Sequence, residues 1–164
     1  MDDGKFNEGE KRYRLVFHHA PLGILHFDPA GVITDCNEAF VDIIGSSRES
    51  LIGLDMRRLP DRRIVRAVEA ALAGETAHFE GDYRSVTGGK TSVVRLLFSP
   101  IIDAGGAVTG GVGIVENVTD RVRAREALEE TNRRMEEANA ELQATLEELE
   151  QTNEELMRAQ DELI

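Results

Sequence analysis

From Arg121 to Ile164 the chain contains neither glycine nor proline, and Leu128, Met135, Leu142, Leu149, Leu156 and Leu163 recur every seven residues. With no breaker and a predominance of Glu, Ala, Leu and Arg, this stretch favours one long helix. A seven-residue apolar repeat sustained over about five heptads implies a left-handed coiled coil. Setting that stripe at position d puts Asn132, Asn139, Leu146, Asn153 and Gln160 at a; setting it at a puts Thr131, Ala138, Thr145, Thr152 and Ala159 at d. The first arrangement is preferred, because Asn at a favours two-stranded, in-register pairing. The expected seam of a parallel homodimer is therefore Leu128, Asn132, Met135, Asn139, Leu142, Leu146, Leu149, Asn153, Leu156 and Leu163. In either arrangement half the seam is polar or small. Such a coil is marginal, and small energies can shift it.

The same segment holds thirteen acidic residues against six arginines, a net of −7, and residues 1–120 carry the remaining −5 of the chain's −12. This break near residue 120 separates two structural regimes. Residues 1–11 read as a tail and the start of a helix, 12–120 as a globular domain and 121–164 as the coil. The acidic balance argues against a nucleic-acid partner, which needs clustered lysine and arginine. Cys36 is the only cysteine, so no intrachain disulfide framework exists. The polar N-terminus has no signal-peptide pattern, and no apolar run approaches a bilayer span. A cytoplasmic location without a membrane segment in this chain is expected.

Within the globular part the hydrophobic period alternates between helix and strand. Residues 5–20 read as an amphipathic helix with Tyr13, Val16 and Phe17 on one side, stopped by Pro21. Gly23–Phe27 is a strand, Asp28 to Gly31 a turn, and Val32–Asp35 a second strand. Asn37 starts a short helix that ends at Gly45. Ser46-Ser47-Arg48-Glu49 resembles a capping box, with Ser46 or Ser47 as the cap, for a small helix over Leu51 and Ile52. Residues 61–73 form a helix whose stripe is Ile64, Val65, Val68, Ala71 and Leu72, closed by Gly74. The period then becomes two. His78–Val86, Thr91–Ile101 and Val108–Val118 are strands joined by turns at Thr87 to Lys90 and Asp103 to Gly106. Alternation points Leu25 and Phe27, and likewise Val94, Leu96 and Phe98, toward the helices, and turns His26 and Arg95 outward. This order predicts an α+β domain with a five-stranded antiparallel sheet and short helices on one face.

In order and over a hundred residues, GILHFDPAGVITDCNEAF, SSRESLIGLD, the glycine-turn hairpin and FSPIIDAGGAVTGGVGIVENVTDR resemble the PAS domain family. In that family the last segment ends in an Asp-Ile-Thr-like triplet that passes the chain to an output helix. Here Asn117-Val118-Thr119 holds that place, followed by Asp120 and Arg121, and Asn117 replaces the usual Asp. The resemblance implies a sensory and dimerisation module of the kind that feeds histidine kinases, cyclases or transcription factors.

The family's cofactors are tested residue by residue. Photosensory members carry a reactive Cys where Gly53-Leu54-Asp55-Met56-Arg57 has Met56, so covalent flavin chemistry is disfavoured. Haem-binding members place a His on or near the long helix. Residues 61–73 have none, and His78 reads as a sheet-surface residue. Cys36 reads as semi-buried, and no His/Cys pair has metal-site spacing. Gly89-Lys90-Thr91 lacks the spacing and context of a phosphate loop. Gly110, Gly111 and Gly113 are expected to admit close helix packing.

The remaining candidate is an apolar ligand pocket of Leu25, Phe27, Phe40, Ile44, Met56, Val68, Val94, Leu96 and Phe98, residues that equally suit a plain core. No nucleophile–base set or paired carboxylate stands out, the coil has no phosphoacceptor histidine, and no ATP-binding glycine boxes follow. The expectation is a non-catalytic, homodimeric input fragment of a signalling protein such as a sensor histidine kinase. It would relay a signal through Asn117, Val118, Thr119, Asp120 and Arg121 to a downstream output domain or response regulator. The alternative is a constitutive dimerisation scaffold with no ligand.

Overall fold

A computed structural model describes residues 3–161, with side chains from Glu8 onward. The described residues fall into two compact units that divide between Asp120 and Arg121. The first begins with helix α1 (Asp3–His19), then strands β1 (Gly23–Phe27) and β2 (Ile33–Cys36). Helices α2 (Glu38–Ile44) and α3 (Arg48–Leu51), a 3-10 turn at Met56–Arg58 and helix α4 (Arg62–Leu72) follow. Strands β3 (Ala77–Arg84), β4 (Thr91–Ile102) and β5 (Val108–Asn117) complete the sheet, and α5 runs Thr119–Asp161.

All pairings are antiparallel, in the order β2-β1-β5-β4-β3. The last strand therefore enters the middle of the sheet, between the first and fourth. Alternation decides which face is covered. Leu25, Phe27, Val94, Leu96, Phe98 and Val115 are buried under α2 and α4, whereas Arg95 lies outward between Glu80 and Glu116. On α4, Ile64, Val65, Ala67, Val68 and Ala71 are buried and Leu72 is half-buried.

Local chemistry sets the element ends. Asn37, Ser47 and Asp61 each cap a helix, their side chains accepting from Phe40 N, Ser50 N and Arg63 N respectively. The third helical position of α3 is Ser50 and not Glu49, so the expected capping box reduces to a single serine cap. Strand β2 is shifted one residue from its expected span, because Val32 forms only an isolated bridge to Asp55. Cys36 is fully buried in the core, and burial pushes its thiol pKa up.

The glycines of β5 serve a different purpose from the one expected. Gly111 pairs with Phe27 and Gly113 with Leu25 on β1, and Gly113 also faces Phe98 on β4. A methyl group on Gly111 would overlap the Phe27 ring, and one on Gly113 would press into Phe98 and Leu25. These glycines make room for aromatic side chains of adjacent strands, not for a helix. The rings of Phe27 and Phe98 meet edge to face at 5.9 Å in the space so created.

One buried side chain ties the domain together. Asn37 is fully buried; its Nδ2 donates to the carbonyls of Phe17 (2.8 Å) and Leu22 (2.9 Å), and its Oδ1 accepts from Ile24 N (2.8 Å) and Phe40 N (2.9 Å). Replacing Asn37 by Ala leaves four backbone groups without their partner, two of them in buried hydrogen bonds, so Asn37→Ala is expected to cost about 3 kcal/mol. A lowered urea midpoint at unchanged slope would report it; a midpoint equal to that of the parent chain would contradict this account.

Candidate functional site

Between the inner sheet face and helices α2, α3 and α4 lies an apolar cavity of about 40 Å³. Six of the nine predicted pocket residues border it: Leu25, Phe40, Ile44, Met56, Leu96 and Phe98. The other three, Phe27, Val68 and Val94, are buried elsewhere in the same core and do not border the cavity. Their inward orientation follows from alternation, but facing the core and facing one particular void are different properties.

The wall also contains residues that pattern reading passed over. Ile33, Leu51, Leu54, Leu59, Ile64 and Val115 complete its apolar part, and Tyr83 and Thr87 add hydroxyl groups. Tyr83 shares the inward row of β3 with Phe79, a signal that period-two alternation carries. Burial raises its pKa, so the phenol is neutral at ordinary pH. Among the described residues no charged side chain lines the cavity.

The outer face of the sheet carries a second arrangement. Phe17 is buried there, and Tyr13 stacks on it at 5.6 Å. The Tyr13 hydroxyl meets His26 Nε2 at 2.7 Å, and the Phe17 and His26 rings are 5.6 Å apart. His26 therefore points away from the core, as alternation requires, yet α1 half covers it. Asp35, its cross-strand partner, forms an ion pair with Arg48. His78 is exposed on β3. Among the described residues no cluster of His, Cys, Asp and Glu has the arrangement of a metal site.

The predicted relay residues gather where β5 becomes α5. Val118 is buried, and its N–H donates to Val93 O at 2.9 Å. The Thr119 hydroxyl oxygen accepts from Val93 N at 2.9 Å and lies 2.6 Å from Asn117 Oδ1, which also accepts from Thr119 N at 3.0 Å. Asn117 thus holds the first residue of α5 through an Asx-type contact that an aspartate could also make, without the charge. Asp120 lies in the first turn of α5, where a negative charge is favourable.

On α5, Leu128, Met135, Leu142, Leu149 and Leu156 are exposed, at 58–64%. Leu146 is 50% exposed, and Asn132, Asn139 and Asn153 are exposed as well. Leu163 lies outside the described residues. Thr131, Thr145 and Thr152, of the alternative stripe, donate back to the carbonyls of Ala127, Glu141 and Glu148. Both stripes flanking the leucines are therefore open, and the helix by itself does not choose between them.

Comparison with known proteins places this geometry. A family model described as the PAS fold matches residues 17–123. No functionally curated protein matches the chain. Among solved structures, the chain is similar to a domain of a sensory box sensor histidine kinase/response regulator from Geobacter sulfurreducens. Identity is 26% over 68% of this chain and 96% of that one, with a TM-score of 0.54. A PAS domain from Colwellia psychrerythraea matches at 23% identity, over 68% of this chain and 98% of that one, with a TM-score of 0.55. The PAS domain of a LuxR-family transcriptional regulator from Burkholderia thailandensis, in complex with ethanol, matches at 23% identity. It covers 65% of this chain and 96% of that one, with a TM-score of 0.51.

Burial lowers the pKa of His26, and the Asp35 carboxylate opposes the shift in part. The unfolded chain then binds this proton more readily than the folded one. Stability is expected to fall as pH drops through the ordinary histidine range near 6.5 and to level off above it. His26→Gln should flatten that part of the profile in urea denaturation between about pH 5.5 and 7.5. An equal fall in both proteins would remove His26 as its source.

Proposed function

The chain belongs to the PAS-fold family, and on that premise we propose that it is the sensory input and dimerisation part of a signal-transduction protein, one whose output is a histidine kinase or a similar domain. PAS domains are sensory modules of signalling proteins, and the similar solved structures include a domain of a sensor histidine kinase. The observation that carries the reading is the clasp of Val93, Asn117 and Thr119. It bonds the end of the last strand and the start of α5 to the same residue of β4, whose next residue, Val94, is buried in the core. A change of core packing that displaces β4 is thereby delivered to the first turn of α5.

The exposed leucine stripe supports a homodimer through α5. A helix of 43 residues, none of them buried, exposes apolar side chains at a seven-residue period, the pattern that a second helix covers. The cavity residues are the proposed ligand contacts. The constitutive scaffold remains the competing reading, and it predicts no coupling across the clasp.

Two outcomes test this reading. Leu142→Glu with Leu149→Glu is expected to convert a dimer to a monomer in sedimentation equilibrium, since each places a charge in the seam. Asn117→Ala and Thr119→Ala are expected to raise amide exchange in the first turn of α5 by about tenfold, and to change the output of a kinase domain fused after Ile164. Unchanged exchange and unchanged output would leave only the scaffold.

A further inference from the structure

The wall of the cavity is divided by chemistry. Its floor is apolar and belongs to the central strands β1, β4 and β5, through Leu25, Phe98 and Val115. Its two hydroxyl-bearing residues, Tyr83 and Thr87, belong to the end of β3 and the turn after it. Thr87 is exposed and Tyr83 half-buried, so this end is the mouth.

The turn is held against the end of α2. Gly88 lies so close to the Gly45 carbonyl that a side chain there would overlap it, and Lys90 Nζ donates to Asp42 O at 3.0 Å. Within the turn, the Ser85 hydroxyl accepts from Gly88 N at 2.9 Å. The turn that carries Thr87 thus rests against the end of α2.

Hydroxyl groups at this end are not used up by the fold. Among the described residues the Tyr83 hydroxyl has no hydrogen-bond partner, and Thr87 meets only the Ser85 hydroxyl, at a long 3.4 Å. A half-buried phenol and an exposed threonine hydroxyl at the edge of an apolar void are groups that a bound polar group engages in place of water.

We infer that the cavity takes a small neutral molecule with an apolar body of a few non-hydrogen atoms and a single hydroxyl or carbonyl group, bound to Tyr83 and Thr87 at the mouth. This rests on the ligand-contact reading above. The volume limits the body, since about 40 Å³ holds only a few atoms beyond a single water. Neutrality follows from the lining, because a charge among apolar groups with no counter-charge is strongly disfavoured. Met56 in the wall supplies an adaptable side chain that fits itself to the body.

The test uses the whole chain with labelled methyl groups, titrated with 1-propanol and, in parallel, with propylammonium and propionate. Saturable shifts confined to the methyls of Leu25, Ile44 and Leu96 are expected with 1-propanol alone. Tyr83→Phe and Thr87→Val keep the shape of the site and remove only its hydrogen bonds. Each is expected to weaken 1-propanol by about three- to tenfold. Xenon, which needs only the apolar floor, should shift the same methyls equally in all three proteins, and this also confirms that the variants are folded. Non-saturable propanol shifts, equal shifts from the charged analogues, or propanol binding by both variants as tight as the parent's would each overturn the inference. None of these results touches the clasp, whose failure is read separately from exchange in α5.

Discussion

A single buried amide connects the two faces of this domain. Asn37 presents two donors and two acceptor positions, and all four are matched by backbone groups from three separate segments. No other side chain of this size offers that set: aspartate lacks the donors and serine lacks the number. By holding the Phe17 and Leu22 carbonyls it fixes where α1 leaves the outer face. By accepting from Ile24 and Phe40 it sets α2 over β1 on the inner face. The cavity and the Tyr13–His26 contact lie on opposite sides of the sheet, yet both depend on this one residue being satisfied away from water.

The sheet itself is shaped by an exchange of volumes. Strand β5 is the central strand and carries Gly110, Gly111 and Gly113, which would ordinarily weaken it. The missing side chains are replaced by Phe27 and Phe98, which lean across from the neighbouring strands and meet in edge contact. Two large rings on flanking strands thus cover the middle of the sheet, and Phe98 continues into the cavity floor. Farther along β5, where Val115 resumes the alternation, the strand reaches the clasp at Val93 and ends. Cavity floor and clasp therefore share strands β4 and β5.

Much of this was legible from residue order. Period-two alternation is a local property of extended chains, so the inward row of β4 and the outward turn of His26 could be read directly. The start of α2 at Asn37 also depends on residues within one turn of each other. The lining of the cavity was read only in part. Phe27, Val68 and Val94 face inward as expected, but whether a buried residue borders a void depends on how its neighbours fill space. Ile33, Leu59 and Ile64 come to the same void from three different segments. Tyr83 escaped because a half-buried phenol reads as a surface residue. The service of Asn37 beyond its own helix escaped because its partners are 13 to 20 residues away in the chain.

What residue order determined by itself is the class of each segment: a breaker-free heptad helix, strands of period two, and turns at their glycines. These follow from steric and hydrophobic rules acting over a few residues. Tertiary structure alone decided that β5 inserts between β1 and β4, that its glycines accommodate aromatic rings rather than a helix, and that Val93 receives the start of α5. Those depend on groups distant in sequence meeting in a close-packed interior, where fitting volumes and satisfying buried hydrogen bonds select one arrangement among many of equal local merit. Helix α5 completes the contrast: its leucine stripe is plain in the sequence, whereas which neighbouring stripe would pair with it is not a property of one helix.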